Sequence, residues 1–278
     1  MKLSVYTFVK NGLYQDYHLL DMLRHHLPLA DEIVVHEGLS TDGTYEAIKD
    51  LGPKVNVFRS DWEVNSGLDF IRRFKDEARR RCTGDWCLML DADEFVPEWE
   101  FDPLRRALAA SDELTHTAAM LNFYGNYRVY HADPLAFRMP WMKRLLHRNV
   151  PNVEYPGDAS SVRLTGTADP AFDPARAAFT CHHFGYVRKA ARLRETWRNM
   201  RGKLYNAPPP RFRLPAFLFD LFPHKWADPD FLPHLRVYDG PYIRAVRDNP
   251  GEFVRDKFRL YDYLKAHPPA DPGAGARP

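Results

Sequence analysis

The chain has 278 residues, 45% hydrophobic and 27% charged, with 39 basic side chains against 37 acidic. That make-up fits an ordinary globular protein of one large domain or two small ones. A formal net charge of +2 is too balanced for a general nucleic-acid or membrane binder. Three cysteines, Cys82, Cys87 and Cys181, form no disulfide framework and fit a reducing compartment. No apolar run approaches the roughly 20 residues of a membrane helix, and the opening MKLSVYTFV lacks a small-residue cleavage site. Cytoplasmic location is the expectation.

Leu3 to Val9 predicts a buried strand followed by a turn at Asn11-Gly12. Leu13, Tyr17, Leu20, Leu23 and Leu27 recur at helical spacing and predict a helix ending at Pro28. Glu32 to His36 is a second strand, Thr44 to Leu51 a short helix, and Val55 to Phe58 a third strand. Leu68 to Cys82 predicts a helix stopped near Gly84, and Trp86 to Leu90 a strand without alternation, buried on both faces. Asp102-Pro103 reads as a cap followed by proline at the first helical position. Alternating strands and helices predict an α/β fold with a mainly parallel, Rossmann-like sheet flanked by helices. Ligands of such sheets bind beyond the carboxyl ends of the strands. Thr7 to Gly12, His36 to Asp42, Ser60-Asp61 and Asp91 to Glu94 all follow strands and should converge on one rim.

The stretch CLMLDADEF, residues 87–95, ends its buried strand on Asp91, Asp93 and Glu94. Three carboxylates so close repel one another and are stable together only in water or around a cation. An Asp-x-Asp triplet is common by chance; its place at the end of a buried strand gives this one weight. Hard oxygen ligands at this spacing suit Mg²⁺ or Mn²⁺, completed by water and by the phosphate oxygens of a ligand.

FKDEARRRCTGDWCLMLDADEF resembles the stretch leading into the Asp-x-Asp motif of family 2 glycosyltransferases. EIVVHEGLSTDGT resembles their second strand and its loop, and SVYTFVKNG their opening strand, in the family's order over residues 1–97. The resemblance implies a GT-A fold, a nucleotide-sugar donor (a UDP-, GDP- or dTDP-sugar), a divalent cation and inversion at the anomeric carbon. It sets Thr7, Val9 and Asn11 against the base and ribose. Glu37 falls near the acid that pairs with the base, but HEGLSTDGT is one residue longer than the commonest pattern, so Glu37 or His36 holds that place. Asp42 matches the loop aspartate, and a helix cap is an equal alternative. Lys75 stands where the family often has Arg, and Asp76 where it often has Asn; Lys75 would meet a phosphate as a point charge. Asp91 would meet ribose or metal and Asp93 the metal directly, with Glu94 supporting them or holding an acceptor hydroxyl.

Members of this fold often supply a late histidine to the metal or diphosphate. CHHFGYVR, residues 181–188, offers His182 or His183, of which His183 is preferred, and Arg188 with Lys189 could reach diphosphate. The spacings of a structural zinc site are absent around Cys181. The base must be a carboxylate within reach of the acceptor hydroxyl. Asp133, Glu154, Asp158, Asp169 and Asp173 fill the family's window, and Asp158 in VEYPGDASS is the candidate. Some relatives carry a His-Glu pair here; this chain has Ser160-Ser161 instead.

Residues 1–205 are expected to form the GT-A domain, with a nucleotide-sugar half at about 1–97 and an acceptor half at about 98–205. Within it, Ala118 to Tyr124 and Tyr127 to Tyr130 predict strands, a loop-rich stretch runs to about Thr180, and Val187 to Tyr205 predicts a basic helix. Residues 206–278 form a helical C-terminal extension, disordered from 268. Its LPAFLFDLFPHKW, residues 214–226, would pack on the catalytic domain or lie on the inner face of a membrane and present a lipid-linked acceptor. The expected acceptor is a glycan or lipid-linked hydroxyl, in polysaccharide biosynthesis, and no nucleic acid. A nucleotidyltransferase would carry a Gly-rich basic loop after the first strand, where this chain has only VKNG; a dehydrogenase would need Gly-x-Gly-x-x-Gly. A non-catalytic sugar- or nucleotide-binding protein would keep the fold without the base.

Overall fold

The computed structural model describes residues 1–62, 69–132, 142–166, 176–199, 232–255 and 259–269. They divide into two units, Met1–Met120 with Met142–Cys181, and Leu121–Trp141 with His182–Pro278. In chain order the first elements are β1 (Leu3–Val9), α1 (Leu19–His26), β2 (Glu32–Glu37), α2 (Thr44–Ile48), β3 (Val55–Arg59), α3 (Asp69–Arg79), β4 (Trp86–Met89), β5 (Glu94–Phe95) and α4 (Phe101–Ala110). Then come β6 (Thr115–Tyr124), β7 (Asn126–His131), β8 (Met142–Arg148), the small pair β9 (Val153–Glu154) and β10 (Arg163–Leu164), β11 (Phe179–Tyr186), α5 (Ala190–Asn199) and β12 (Leu235–Val237). Helices Arg244–Asp248 and Arg259–Ala266 follow.

In the first unit β4, β1, β2 and β3 lie side by side and parallel, as expected of an α/β sheet fed by crossover helices. β8 runs antiparallel against β4, and the first half of β6 antiparallel against β8. β2 is buried at every position and β1 at all but one, which is why neither alternates in sequence. α1 buries Leu19, Met22 and Leu23. It starts six residues later than the apolar spacing predicts. Asn11 and Asp16 take positive φ values of 52° and 58°, and the chain winds through turns closed by Gln15 N–H to Asn11 O and Tyr17 N–H to Gly12 O. Leu13 and Tyr14 are exposed there, so the apolar spacing did not report a buried stripe. α4 begins at Phe101, so Asp102-Pro103 lies inside its first turn and not at its boundary.

The expected loop-rich stretch holds a central strand instead. β8, MKRLLHR, reads as charged, yet all but its last residue are buried. Its His147 shows how polar groups are kept there. The Nδ1 lies 2.7 Å from the Arg148 carbonyl and so carries the proton, leaving Nε2 to accept from the Tyr6 hydroxyl at 3.1 Å. Tyr155 completes the chain, 3.1 Å from Tyr6. Burial pushes the His147 pKa down to about 4, so the folded state takes up no proton where the unfolded chain does. Stability is therefore complete above the unfolded value of about 6.5 and falls as pH drops from there to about 4, by roughly 3 kcal/mol in all. Urea melts across that range should show this slope, and His147→Gln should reduce it, leaving the share of His36 and His116, whose pKa values burial also lowers; an undiminished slope would mean that His147 does not contribute.

In the second unit the last part of β6, β7 and β12 pair antiparallel. Val129, Leu235, Leu260, Tyr261 and Leu264 form a core with helix Arg259–Ala266. Phe123 stacks on Phe184, ring centroids 4.6 Å apart. β11 carries CHHFGY as a strand, and α5 covers the first part of the helix expected over 187–205. Residues 200–231, with the 214–226 segment, and residues 270–278 lie outside the described residues. Among the described residues no helix is long and apolar enough to cross a membrane.

Candidate active site

The carboxyl ends of β1, β2 and β4 meet on one rim of the first unit, as the strand order requires. There the Leu90 amide donates to the Tyr6 carbonyl at 3.1 Å, which carries the chain past β4 into Asp91-Ala92-Asp93-Glu94. This is a tight turn. The Glu94 amide donates to the Asp91 carbonyl at 3.1 Å, and Glu94 Oε2 accepts the Asp91 amide at 2.9 Å. Glu94 is 0% exposed, and its other oxygen pairs with Lys143 Nζ at 2.5 Å. Glu94, expected to support the aspartates or to hold an acceptor hydroxyl, has both oxygens engaged within the turn. Burial opposes charge on Lys143, but the carboxylates of Glu94 and Asp91 outweigh it and hold its pKa above the ordinary lysine value.

Lys143 was not singled out in the sequence. The signal was there in the pairing: β4 and β8 match Trp86 with Arg148 and Leu88 with Leu146, and the same register continued puts Lys143 opposite Asp91. Asp91 and Asp93 are the other two acids of the turn, and Asp91 is itself paired with Lys75 Nζ at 2.8 Å. The Asp91 side chain is 31% exposed, and Asp93 is buried at the same turn. Among the described residues no group of three or more His, Cys, Asp or Glu could hold a metal by itself. The Asp91–Asp93 pair nevertheless fits a hard divalent cation that takes its remaining oxygens from water and a bound ligand. Burial and the nearby Glu94 charge push the pKa of the neighbouring Cys181 thiol up.

The first two loops of the rim are stitched together. Asn11 donates its amide to Ser40 Oγ at 2.7 Å and accepts the Thr41 amide on Oδ1 at 2.9 Å. Asp42 accepts the Tyr14 amide at 2.7 Å and the Thr44 amide and hydroxyl at 3.0 and 2.6 Å. Burial works against its charge, but these donors hold its carboxyl below the usual range. The bonds to Thr44 make a turn closed by the Asp42 side chain just ahead of α2, whose N-cap position is held by Gly43. Glu37 is fully buried and accepts the Ser40 amide at 2.6 Å and Arg59 Nε at 2.7 Å. His36 points the other way, stacked on Phe58 at 4.2 Å and 2.6 Å from Ser60 Oγ. Gly38 between these loops is required by close approach: an added Cβ would lie 2.4 Å from the Trp62 ring.

Thr7 and Val9 are both buried on β1. The Thr7 hydroxyl, at 1% residue exposure, has no hydrogen-bond partner among the described residues, a cost that a bound polar ligand would remove. Lys75 on α3 sits 2.8 Å from Asp91 Oδ1 and donates to the Ala159 carbonyl at 2.7 Å. Asp158 lies in the loop that carries that carbonyl, half-buried, with Oδ1 accepting the Ser160 amide at 3.2 Å. Glu154 is spent on an exposed ion pair with Arg163 at 2.7 Å. Asp133, Asp169 and Asp173 lie outside the described residues.

His182, His183 and Arg188 belong to the second unit. Its alternation separates the two histidines. The His182 ring packs with Phe123 and Tyr238, whereas His183 Nδ1 is 2.8 Å from Asn122 Oδ1. Arg188 is buried and donates to Thr196 Oγ1 at 3.1 Å.

No curated protein matches the sequence. Among solved structures the chain is similar to S. aureus TarS 1-349 (18% identity over 96% of this chain and 87% of that one, TM-score 0.38), and to the same protein in complex with UDP (18% identity, the same coverage, TM-score 0.40). It is also similar to M. tuberculosis glucosyl-3-phosphoglycerate synthase (19% identity, 44% of this chain and 46% of that one, TM-score 0.32). Likenesses at this level say nothing about ligands. The match that decides the family is to the sequence itself: residues 18–164 fit Glycosyl transferase family 2, from α1 through the acid turn to the Asp158 loop. With more than half of its residues inside that match, the chain belongs to glycosyltransferase family 2.

Proposed function

We propose that the chain moves a sugar from a nucleoside diphosphate sugar to a hydroxyl of a glycan or lipid-linked acceptor. The reading includes Mg²⁺ or Mn²⁺ held at Asp91 and Asp93 and inversion at the anomeric carbon. The observation that supports it is the turn at the end of β4, which brings Asp91 and Asp93 to the rim with Glu94 held by Lys143 and Asp91 by Lys75. A cation bound there would neutralise charge developing on the departing diphosphate. The unsatisfied Thr7 hydroxyl favours a polar donor lodged across the ends of β1 and β4. Asn11, Glu37 and Asp42 act on that donor by fixing the shape of its loops.

Asp158 takes the proton of the acceptor hydroxyl in this reading, supported by a loop that Lys75 ties to Asp91. The nucleotide-sugar half is proposed at about residues 1–97 and the acceptor half beyond it. The 214–226 segment is proposed, on its sequence, to pack on the catalytic domain, with contact to a lipid-linked acceptor at the inner membrane face as the alternative. The nucleotidyltransferase and dehydrogenase alternatives fall away with the family match.

The test is the melting temperature with UDP-, GDP- and dTDP-sugars, each with and without Mn²⁺, since a ligand that binds only the folded state must raise it. One nucleotide should stabilise the protein only with metal, and Asp93→Ala should remove that shift. If no nucleotide shifts it under any metal, the donor reading is lost and a non-catalytic member of the family takes its place.

A further inference from the structure

We propose that Lys75, assisted by Arg72, is a positioning residue that latches the Asp158 loop to Asp91, so that donor-side and acceptor-side carboxylates are held as one unit. The inference rests on the reading of Asp91 as a donor-side acid.

The lysine is 2% exposed. A buried ammonium costs several kcal/mol unless it is paired and hydrogen-bonded. Lys75 spends itself on two partners from different parts of the chain, Asp91 Oδ1 at 2.8 Å and the Ala159 carbonyl at 2.7 Å. Three residues earlier on α3, Arg72 donates Nε and Nη2 to the Gly157 carbonyl at 3.2 and 2.9 Å. The two carbonyls on either side of Asp158 are thus gripped from one helix.

The loop needs that grip. Gly157 and Ala159 both take positive φ, 58° and 60°. Ala159 has a Cβ, so its left-handed conformation is strained and persists only where the surroundings impose it. Ala159 is fully buried, and its amide closes onto the Pro156 carbonyl at 3.1 Å.

The family resemblance offers Lys75 to the donor phosphate. Here its ammonium faces inward to the protein. A cation at Asp91 would share that carboxylate with the ammonium and be weakened by it, because like charges within a few ångström disfavour each other. Binding at Asp91 and the hold on the loop are therefore coupled.

The experiment uses the full chain with Lys75→Met, Lys75→Arg and Arg72→Ala. It reads amide hydrogen exchange at Ala159 and Ser160, Mn²⁺ affinity without nucleotide, and UDP affinity at saturating Mn²⁺. Lys75→Met should speed exchange at both amides about tenfold or more, tighten Mn²⁺ about tenfold by removing the competing charge, and leave UDP affinity nearly unchanged. Tighter metal binding is not something a loss of structure would produce. Lys75→Arg keeps the charge and should restore most of the protection. Arg72→Ala removes a more exposed side chain and should loosen the same amides without moving Mn²⁺ affinity, which keeps the test open if Lys75→Met folds poorly. Unchanged exchange in both deletion variants, or Mn²⁺ affinity unmoved by Lys75→Met, would overturn the latch. UDP affinity lost with the loop unmoved would give Lys75 to the phosphate instead. If the unaltered chain binds no nucleotide, the functional reading fails separately, and the exchange measurement still decides the latch.

Discussion

Lys143→Met should cost the chain about 3–5 kcal/mol, because breaking a buried ion pair strands the remaining charge. Glu94 has no exposure to water and its Oε1 pairs with the Lys143 ammonium. The thioether can fill the space but cannot meet the carboxylate. Thermal denaturation should register a fall of about 10 °C for a protein of this size. The double variant Lys143→Met with Glu94→Gln should recover much of the loss. It removes the stranded charge, and the amide oxygen can still accept the Asp91 N–H that Glu94 Oε2 accepts at 2.9 Å. A single variant within 1 kcal/mol of the parent would mean that water reaches Glu94 and that the turn is not braced in this way.

Asp158→Asn should lower the rate of sugar transfer by about 10²–10⁴ while leaving donor binding in place, the range associated with loss of a general base. Asparagine keeps an oxygen where Asp158 Oδ1 accepts the Ser160 amide at 3.2 Å, so the loop should hold its form. The proton acceptor alone is removed. Glu154→Gln is the control, since Glu154 is an exposed partner of Arg163 at 2.7 Å and its loss should leave the rate nearly untouched. Nucleoside diphosphate release measured with and without acceptor separates the steps. If Asp158→Asn transfers within tenfold of the parent, the base is elsewhere, and Asp133, Asp169 and Asp173 become the carboxylates to replace.

Much of the first unit could be read from the chain. Runs such as EIVVH and WCLML are buried on both faces, so hydrophobicity alone marked them as parallel-sheet strands. β8 escaped because Lys143 and Arg144 in MKRLLHR look like solvent-facing residues, and only their partners make burial tolerable. Arg144 accepts this place by donating its backbone amide to Ser161 Oγ and a guanidinium N–H to the Val162 carbonyl, at 3.0 and 3.4 Å. The start of α1 was misplaced for the opposite reason. Leu13 fitted the helical spacing, but Asn11 at positive φ commits the chain to a turn first.

The candidate site divides along the same line. That acids end a buried strand was fixed by the order of residues 87–95, since a strand end lies wherever its chain places it. How those acids are held depended on contacts between distant residues. Lys143 lies 49 residues from Glu94 and cancels it. Lys75 reaches the Ala159 carbonyl across 84 residues and Asp91 beside it. Asp42 and Asn11 bind backbone amides between 28 and 30 residues away and so shape loops. Periodicity and motif report what neighbours along the chain share. Charge pairing and burial depend on what folding brings within about 3 Å, where an ion pair or hydrogen bond is made, and only the tertiary structure sets those distances.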